Sequence, residues 1–282
     1  MTIQWFPGHM AKARREVQEK LKLVDFVIEL VDARAPLASQ NPMLQEILQQ
    51  KPKMQVLMKK DLADPEVTKK WLEKLQAENI EAVAVDVQNR QDIQRVIETA
   101  KKMTAEKMAK LKTRGVRPRA GRAMIIGIPN VGKSTLINRL ANKKIAKTGD
   151  RPGITTAQQW IKVKKDFELL DTPGILWPKF EDQQIGYRLA AIGTIKDHIL
   201  SIEAITRFTL KFIQERYPQL LLERYQLTDI EADYEQIIEQ IGRQRGALAP
   251  GGAVDAEKTA ELFIRDYRTG KVGPITLEQP DI

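Results

Sequence analysis

The chain has 282 residues, 42% hydrophobic and 29% charged, which is long enough for two domains with real cores and too apolar for disorder. It has no cysteine and only two histidines, His9 and His198, which excludes disulfides, thiolate or multi-histidine metal centres and a cysteine nucleophile. The net charge of +9 is lopsided: +13 through Trp177 and −4 beyond it, so the first part suits a polyanionic partner.

A basic amphipathic helix is predicted over residues 10–23, then a buried strand over 26–31 (FVIELV) that ends at Asp32. Residues 41–50 read as a helix and 54–58 (MQVLM) as a second strand. A helix over 65–79 has Asp64 as its N-cap and Pro65 in its first turn. A third strand at 82–86 (AVAVD) leads to a helix over 91–111 and a linker over 113–122 with four arginines. A fourth strand at 123–128 (AMIIGI) runs into a glycine-containing turn and a helix over 133–141, and 159–163 and 167–170 read as two paired strands ending at Asp171. Past Phe180 only helical periodicity remains, near 183–195, 202–216, 234–243 and 255–269. The expectation is an α/β domain over 1–178, a mostly parallel sheet with helices on both faces, and a smaller all-α domain over 179–282.

No apolar run approaches the ~18 residues of a membrane span, and the opening MTIQWFPGHMAKARR carries its charges after its apolar residues, unlike a signal peptide. A cytoplasmic protein is expected. Between positions 101 and 122 nine basic residues face one acid, Glu106; a solvated helix face with a linker and an RNA-contacting stripe are both open, because phosphate attraction is blind to sequence.

Gly127-Ile128-Pro129-Asn130-Val131-Gly132-Lys133-Ser134 satisfies G-x-x-x-x-G-K-S directly after a strand and at the start of a helix. The glycines let successive N–H groups, from Asn130 to Thr135, turn toward phosphate oxygens, and the helix start adds positive potential. Lys133 is placed to reach the β- and γ-phosphates and the Ser134 hydroxyl to ligate Mg²⁺. Asp171-Thr172-Pro173-Gly174 follows a strand, as a magnesium and γ-phosphate sensor does; Asp150-Arg151-Pro152-Gly153 has the same spelling without the strand. Thr155, with Thr156 as the fallback, is the threonine expected to close over Mg²⁺.

A guanine-reading N-K-x-D should follow Gly174, and nothing there fits; upstream, the second strand ends in Met58-Lys59-Lys60-Asp61. Asp61 can accept from guanine N1 and N2 while the Lys59 stem covers the base, and Asp86-Val87 occupies the strand end where the last base-contacting loop belongs. Base-reading motifs therefore precede phosphate motifs, the order of a circular permutation.

These features, with Trp5-Phe6-Pro7-Gly8-His9-Met10, Asp32-Ala33-Arg34, Pro152 to Thr155 and Asp171 to Pro178, resemble the circularly permuted GTPase family, and within it the bacterial members that assemble the large ribosomal subunit. The resemblance implies a P-loop GTPase that binds GTP or GDP with Mg²⁺, associates with large-subunit precursors (ribosomal RNA and proteins) in the GTP state, and hydrolyses GTP late in maturation. It also implies that Asn130 coordinates a potassium ion bridging the β- and γ-phosphates, and that His9 orients or activates water, since Ile175 stands where a glutamine is common. A monomer is expected, without membrane association. Two alternatives stay open: a GTP-dependent RNA-binding module that barely hydrolyses, which Ile175 permits, and a permuted GTPase serving another ribosomal particle. Met58 in place of the family's asparagine, and no small polar residue at Asp86-Val87, predict weaker guanine binding.

Overall fold

The computed structural model describes residues 7–48, 51–117, 119–145, 160–163, 167–172, 182–195 and 200–280, with the side chains of 7–13 and of Met43 outside that description. Ten helices and six strands lie within it: α1 (Pro7–Leu21), β1 (Phe26–Asp32), α2 (Pro42–Leu48), β2 (Lys53–Met58), α3 (Pro65–Ala77), β3 (Glu81–Val85), α4 (Arg90–Thr113), β4 (Gly121–Gly127), α5 (Lys133–Ala141), β5 (Trp160–Val163), β6 (Phe167–Asp171), α6 (Gln183–Ala191), α7 (Ile202–Arg216), α8 (Pro218–Tyr225), α9 (Tyr234–Arg245) and α10 (Ala256–Arg268).

The strands form one sheet in the order β3-β2-β1-β4-β6-β5, parallel except for β5, which runs antiparallel to β6. Every residue of β1 is buried, as expected for a parallel strand covered on both faces. Val27, Met124, Ile126 and Leu170 pack under α1 and α2, and Val31, Leu57 and Ala84 under α3 through Val67, Trp71 and Leu75. The opposite face, from Phe26, Ile28, Leu30 and Ile125, packs against α4 and α5 and is continuous with the core of the helical part. Each fully buried Leu, Ile or Val there contributes about 1.5–3 kcal/mol. Asp64 caps α3 as expected, accepting from the N–H groups of Glu66 and Val67.

The helical part centres on α10, whose Ala260, Phe263, Ile264 and Tyr267 fall at helical spacing and are buried against α9, α7 and α6. Two features were not legible in the periodicity. Pro218 does not simply end α7 but occupies the first turn of a separate helix, α8, a position where its missing N–H costs nothing. After α10 the chain returns as an extended strap to the carboxyl edge of the sheet, where Ile275 N–H donates to Leu62 O (3.1 Å) and Leu277 N–H to Arg34 O (2.7 Å).

Part of the basic stretch at 101–122 is engaged within the fold. Asp25, at the foot of β1, accepts from Lys107 Nζ (2.6 Å), from both Nη atoms of Arg119 (2.8 and 2.7 Å) and from Arg122 N–H (2.9 Å). Lys102 pairs with Glu81, Lys110 with Glu106, and Arg122 with Glu168 while lying over the Trp160 ring. Lys107, Arg119 and Arg122 thus form a strut tying α4 and the linker to the end of the sheet remote from the phosphate loop.

Candidate nucleotide site

Because β1, β2, β3, β4 and β6 are mutually parallel, their carboxyl ends open onto one edge, and β4 lies on the opposite side of β1 from β2 and β3. That is the position where open α/β sheets bind ligands. The loop after β4 carries Asn130 and Gly132 in the left-handed region (φ +61° and +102°) before α5 begins at Lys133. The first turn of α5 has no acidic residue to oppose an anion, and Ser134 and Thr135 sit half-buried in it. Lys133, 8% exposed, is ion-paired with Asp171, 5% exposed, at the end of β6. Thr172 is buried and donates to Ile125 O (2.7 Å), fixing the start of the segment that leaves β6.

Two strands away, Lys59 also adopts a left-handed conformation (φ +59°) and turns the chain into a 3-10 turn over Lys60–Leu62. Its Nζ donates to Asn130 O (2.9 Å) and lies 3.2 Å from Asp32 Oδ2, so one side chain joins the base-side loop to the phosphate loop. Met58 is buried, with its Cε 3.1 Å from where a Cβ on Gly132 would stand. Apolar packing and the Lys59 contact thus occupy the place of the polar brace that the sequence lacks. Asp61 is exposed at the tip, and its carboxyl is raised above the ordinary value by local desolvation and by the charges of Asp86 and Asp32. A ligand presenting two N–H donors there would relieve the charged form.

Asp86 follows β3, and its Oδ1 accepts from Gln88 N–H (2.8 Å), while Val87 packs on the core. Sequence reasoning missed Asp92, which is 1% exposed in the first turn of α4: it accepts from Lys60 Nζ (2.7 Å) and from Asp86 N–H (3.0 Å), holding both base-side loops together. A lone acid in a helix's first turn reads as a dipole partner, so no local pattern announced it.

The site is also tied to the helical part. Helix α6 closes with Gly193 at φ +82°, its N–H on Ala190 O and that of Thr194 on Leu189 O. Side chains reach the carbonyls of this end from three directions: Arg268 of α10 donates to Ala191 O (3.1 Å) and also to Ala190 O (2.7 Å), Arg34 Nη2 to Ile192 O (3.1 Å), and Asn130 Nδ2 to Gly193 O (3.1 Å). Arg34 is itself bidentate on Asp32 (2.9 and 2.8 Å), and both are 1% exposed. Burial pushes the Asp32 carboxyl up, but the charges of Arg34 and Lys59 and the hydrogen bonds from Arg34 reverse that and hold it well below the usual range.

Of the sequence-predicted residues, Met58, Lys59, Lys60, Asp61, Asp86, Val87, Asn130, Val131, Gly132, Lys133, Ser134, Thr135 and Asp171 converge on this edge. Thr155, Thr156, Gly174, Ile175, Trp5 and Trp177 lie outside the described residues, as does the side chain of His9, whose backbone is in α1.

A phosphate loop on a central parallel strand, an acidic strand end beside it and a K-x-D loop two strands away define a P-loop GTPase, here with the base-side loops first in the chain and a helical region last. The comparisons agree. A family model described as "50S ribosome-binding GTPase" matches residues 122–243. "Ribosome biogenesis GTPase A" of Bacillus pumilus is 57% identical over 100% of both chains, and "Mitochondrial ribosome-associated GTPase 1" of Bos taurus is 33% identical over 98% of this chain and 88% of that one. The GDP-bound structure of YlqF superposes with a TM-score of 0.70 at 27% identity, covering 94% of this chain and 99% of that one. The chain belongs to the ribosome biogenesis GTPase A family: it binds guanine nucleotide and hydrolyses GTP.

Proposed function

We propose that this GTPase acts in assembly of the large ribosomal subunit, joining a precursor particle in its GTP form and hydrolysing GTP as the particle matures. The observation that carries the site is the Lys59–Asn130 contact, which fastens the K-x-D loop to the phosphate loop across two strands. The description of the matching family model and the names of the relatives support the ribosomal partner. The protein works as a cytoplasmic monomer; no described helix is long and apolar enough to cross a membrane. It comprises a GTPase unit over 1–178 and a helical unit over 179–282 that contacts ribosomal RNA or protein.

In this reading Asp61 reads the guanine edge, the Lys59 stem covers the base, and the Asp86-Val87 loop closes the pocket. The backbone from Asn130 to Thr135 wraps the phosphates. Lys133 and Asp171 are ion-paired with each other. Phosphates replace Asp171 as the partner of Lys133, which leaves the Asp171 carboxylate for Mg²⁺ together with the Ser134 hydroxyl and Thr155, a hard-oxygen donor set that fits this ion. Bound there, Mg²⁺ would neutralise charge developing on the phosphates. The amide oxygen of Asn130 suits potassium, Gly174 senses the γ-phosphate, and His9 orients water in place of the absent glutamine.

Coupling to the helical unit runs through the end of α6. Asn130 and Arg34 both donate to its carbonyls, so a nucleotide that re-aims Asn130 or Lys59 changes the partners of Gly193 and Ile192. The test is co-sedimentation with large-subunit precursors: the form loaded with a non-hydrolysable GTP analogue should pellet with them and the GDP form should stay in solution. Equal pelleting of both forms, or preference for the small subunit, would contradict the proposal.

A further inference from the structure

We propose that the carboxy-terminal strap, residues 275–278, sets guanine selectivity, with Thr276 and Glu278 as positioning residues for the loop that reads the base. This rests on the reading of Asp61 as the guanine acceptor. The loop needs outside support for two local reasons. Lys59 holds a left-handed conformation that a lysine disfavours, and Met58 beside it has no hydrogen-bonding head with which to brace the turn.

The strap provides that support with residues buried as deeply as the sheet: Ile275 and Thr276 are 0% exposed, Leu277 1% and Glu278 6%. Ile275 N–H donates to Leu62 O (3.1 Å), and Asp64 N–H donates to Thr276 Oγ1 (3.1 Å), so the residues directly after Asp61 are held at two points. Leu277 N–H donates to Arg34 O (2.7 Å), and the Glu278 carboxylate accepts from the N–H groups of Leu37 (2.6 Å) and Ala38 (2.9 Å), fixing the neighbouring loop that carries Arg34. Trp71 Nε1–H closes the assembly on Glu278 O (3.1 Å). On the other side of Asp61, Lys60 is pinned by Asp92. Asp61 is thus clamped from both chain directions, and one of the two clamps comes from the far end of the sequence.

A carboxylate that must meet two donors at once depends on how tightly its loop is held. Loosening the loop weakens both contacts and shrinks the advantage of guanine over hypoxanthine, which keeps N1–H and lacks the 2-amino group. Global destabilisation lowers the active fraction equally for every nucleotide and leaves that ratio alone.

The experiment uses full-length wild type, Thr276→Val and Glu278→Ala, with GTP, ITP and ATP displacing a fluorescent GDP at equilibrium. Thr276→Val keeps the shape of the side chain, so it decides the matter even if Glu278→Ala does not fold. The expected result is a GTP affinity lower by about fivefold, the worth of one net hydrogen bond, with the GTP-to-ITP ratio falling several-fold. A wild type that prefers GTP, with variants that keep its GTP-to-ITP ratio, would overturn the role of the strap. A wild type indifferent between GTP and ITP would overturn the reading of Asp61 and the strap's role with it.

Discussion

Replacing Asp25 with Asn should destabilise the protein by about 2 kcal/mol at neutral pH. Burial pushes the Asp25 carboxyl up, yet hydrogen bonds from Arg119, Lys107 and the Arg122 N–H, with the charge of Arg119, bring it down to about 2 from an ordinary 3.8. At about 1.36 kcal/mol per pH unit that difference is worth about 2.5 kcal/mol. Lys107 and Arg119 keep 52% and 37% of their side chains exposed, so after Asp25→Asn they turn to water. The cost therefore falls short of the ~3–5 kcal/mol of a fully buried orphan charge. Because the folded value lies below the unfolded one, this stability is complete above about pH 4 and is lost as pH falls through about 2. Urea unfolding of wild type and Asp25→Asn should show the same gap at pH 7 and pH 5, and a gap roughly halved at pH 3. No gap at pH 7, or a gap unchanged at pH 3, would refute the strut.

Three further outcomes follow from the site. Asp61→Asn should lower GTP affinity by about a hundredfold, two hydrogen bonds losing their charged acceptor, while xanthosine triphosphate, which offers a carbonyl where guanine has the amino group, binds better than to wild type; displacement titrations check both. Lys133→Ala should abolish nucleotide binding and also lower the melting temperature of the ligand-free protein, because Asp171 is left buried without its cation, at a cost of about 3 kcal/mol. Arg34→Lys should behave as a severe change, since an ammonium cannot hold both Asp32 oxygens and Ile192 O together; limited proteolysis should then cut between the sheet and α6 sooner than in wild type.

The sheet was legible because its strands are short apolar runs ending at chemistry-bearing residues: FVIELV before Asp32, MQVLM before Lys59 and AMIIGI before the phosphate loop. Helices α5 and α7 were legible to the residue, as their caps and periods agree. Helix α8 was hidden because Pro218 serves equally to stop one helix and to start the next. The joining of Lys59 to Asn130, of Asp92 to Lys60 and of Glu278 to Leu37 was hidden for a different reason. Each links positions 32 to 241 residues apart, and hydrophobic periodicity carries no information about such pairs. The basic stretch stayed ambiguous because composition does not show partners: Lys107 and Arg119 converge on buried Asp25 and Arg122 pairs with Glu168, whereas the Lys102–Glu81 and Lys110–Glu106 pairs lie on the surface.

GTP turnover by the full-length protein, measured in potassium and in sodium with and without purified large ribosomal subunits, bears on the whole mechanism at once. Slow intrinsic hydrolysis, strongly raised by the large subunit and further raised by potassium, is the expected result. Equal rates in all four conditions would contradict a ribosome-coupled GTPase assisted by Asn130 and an ion.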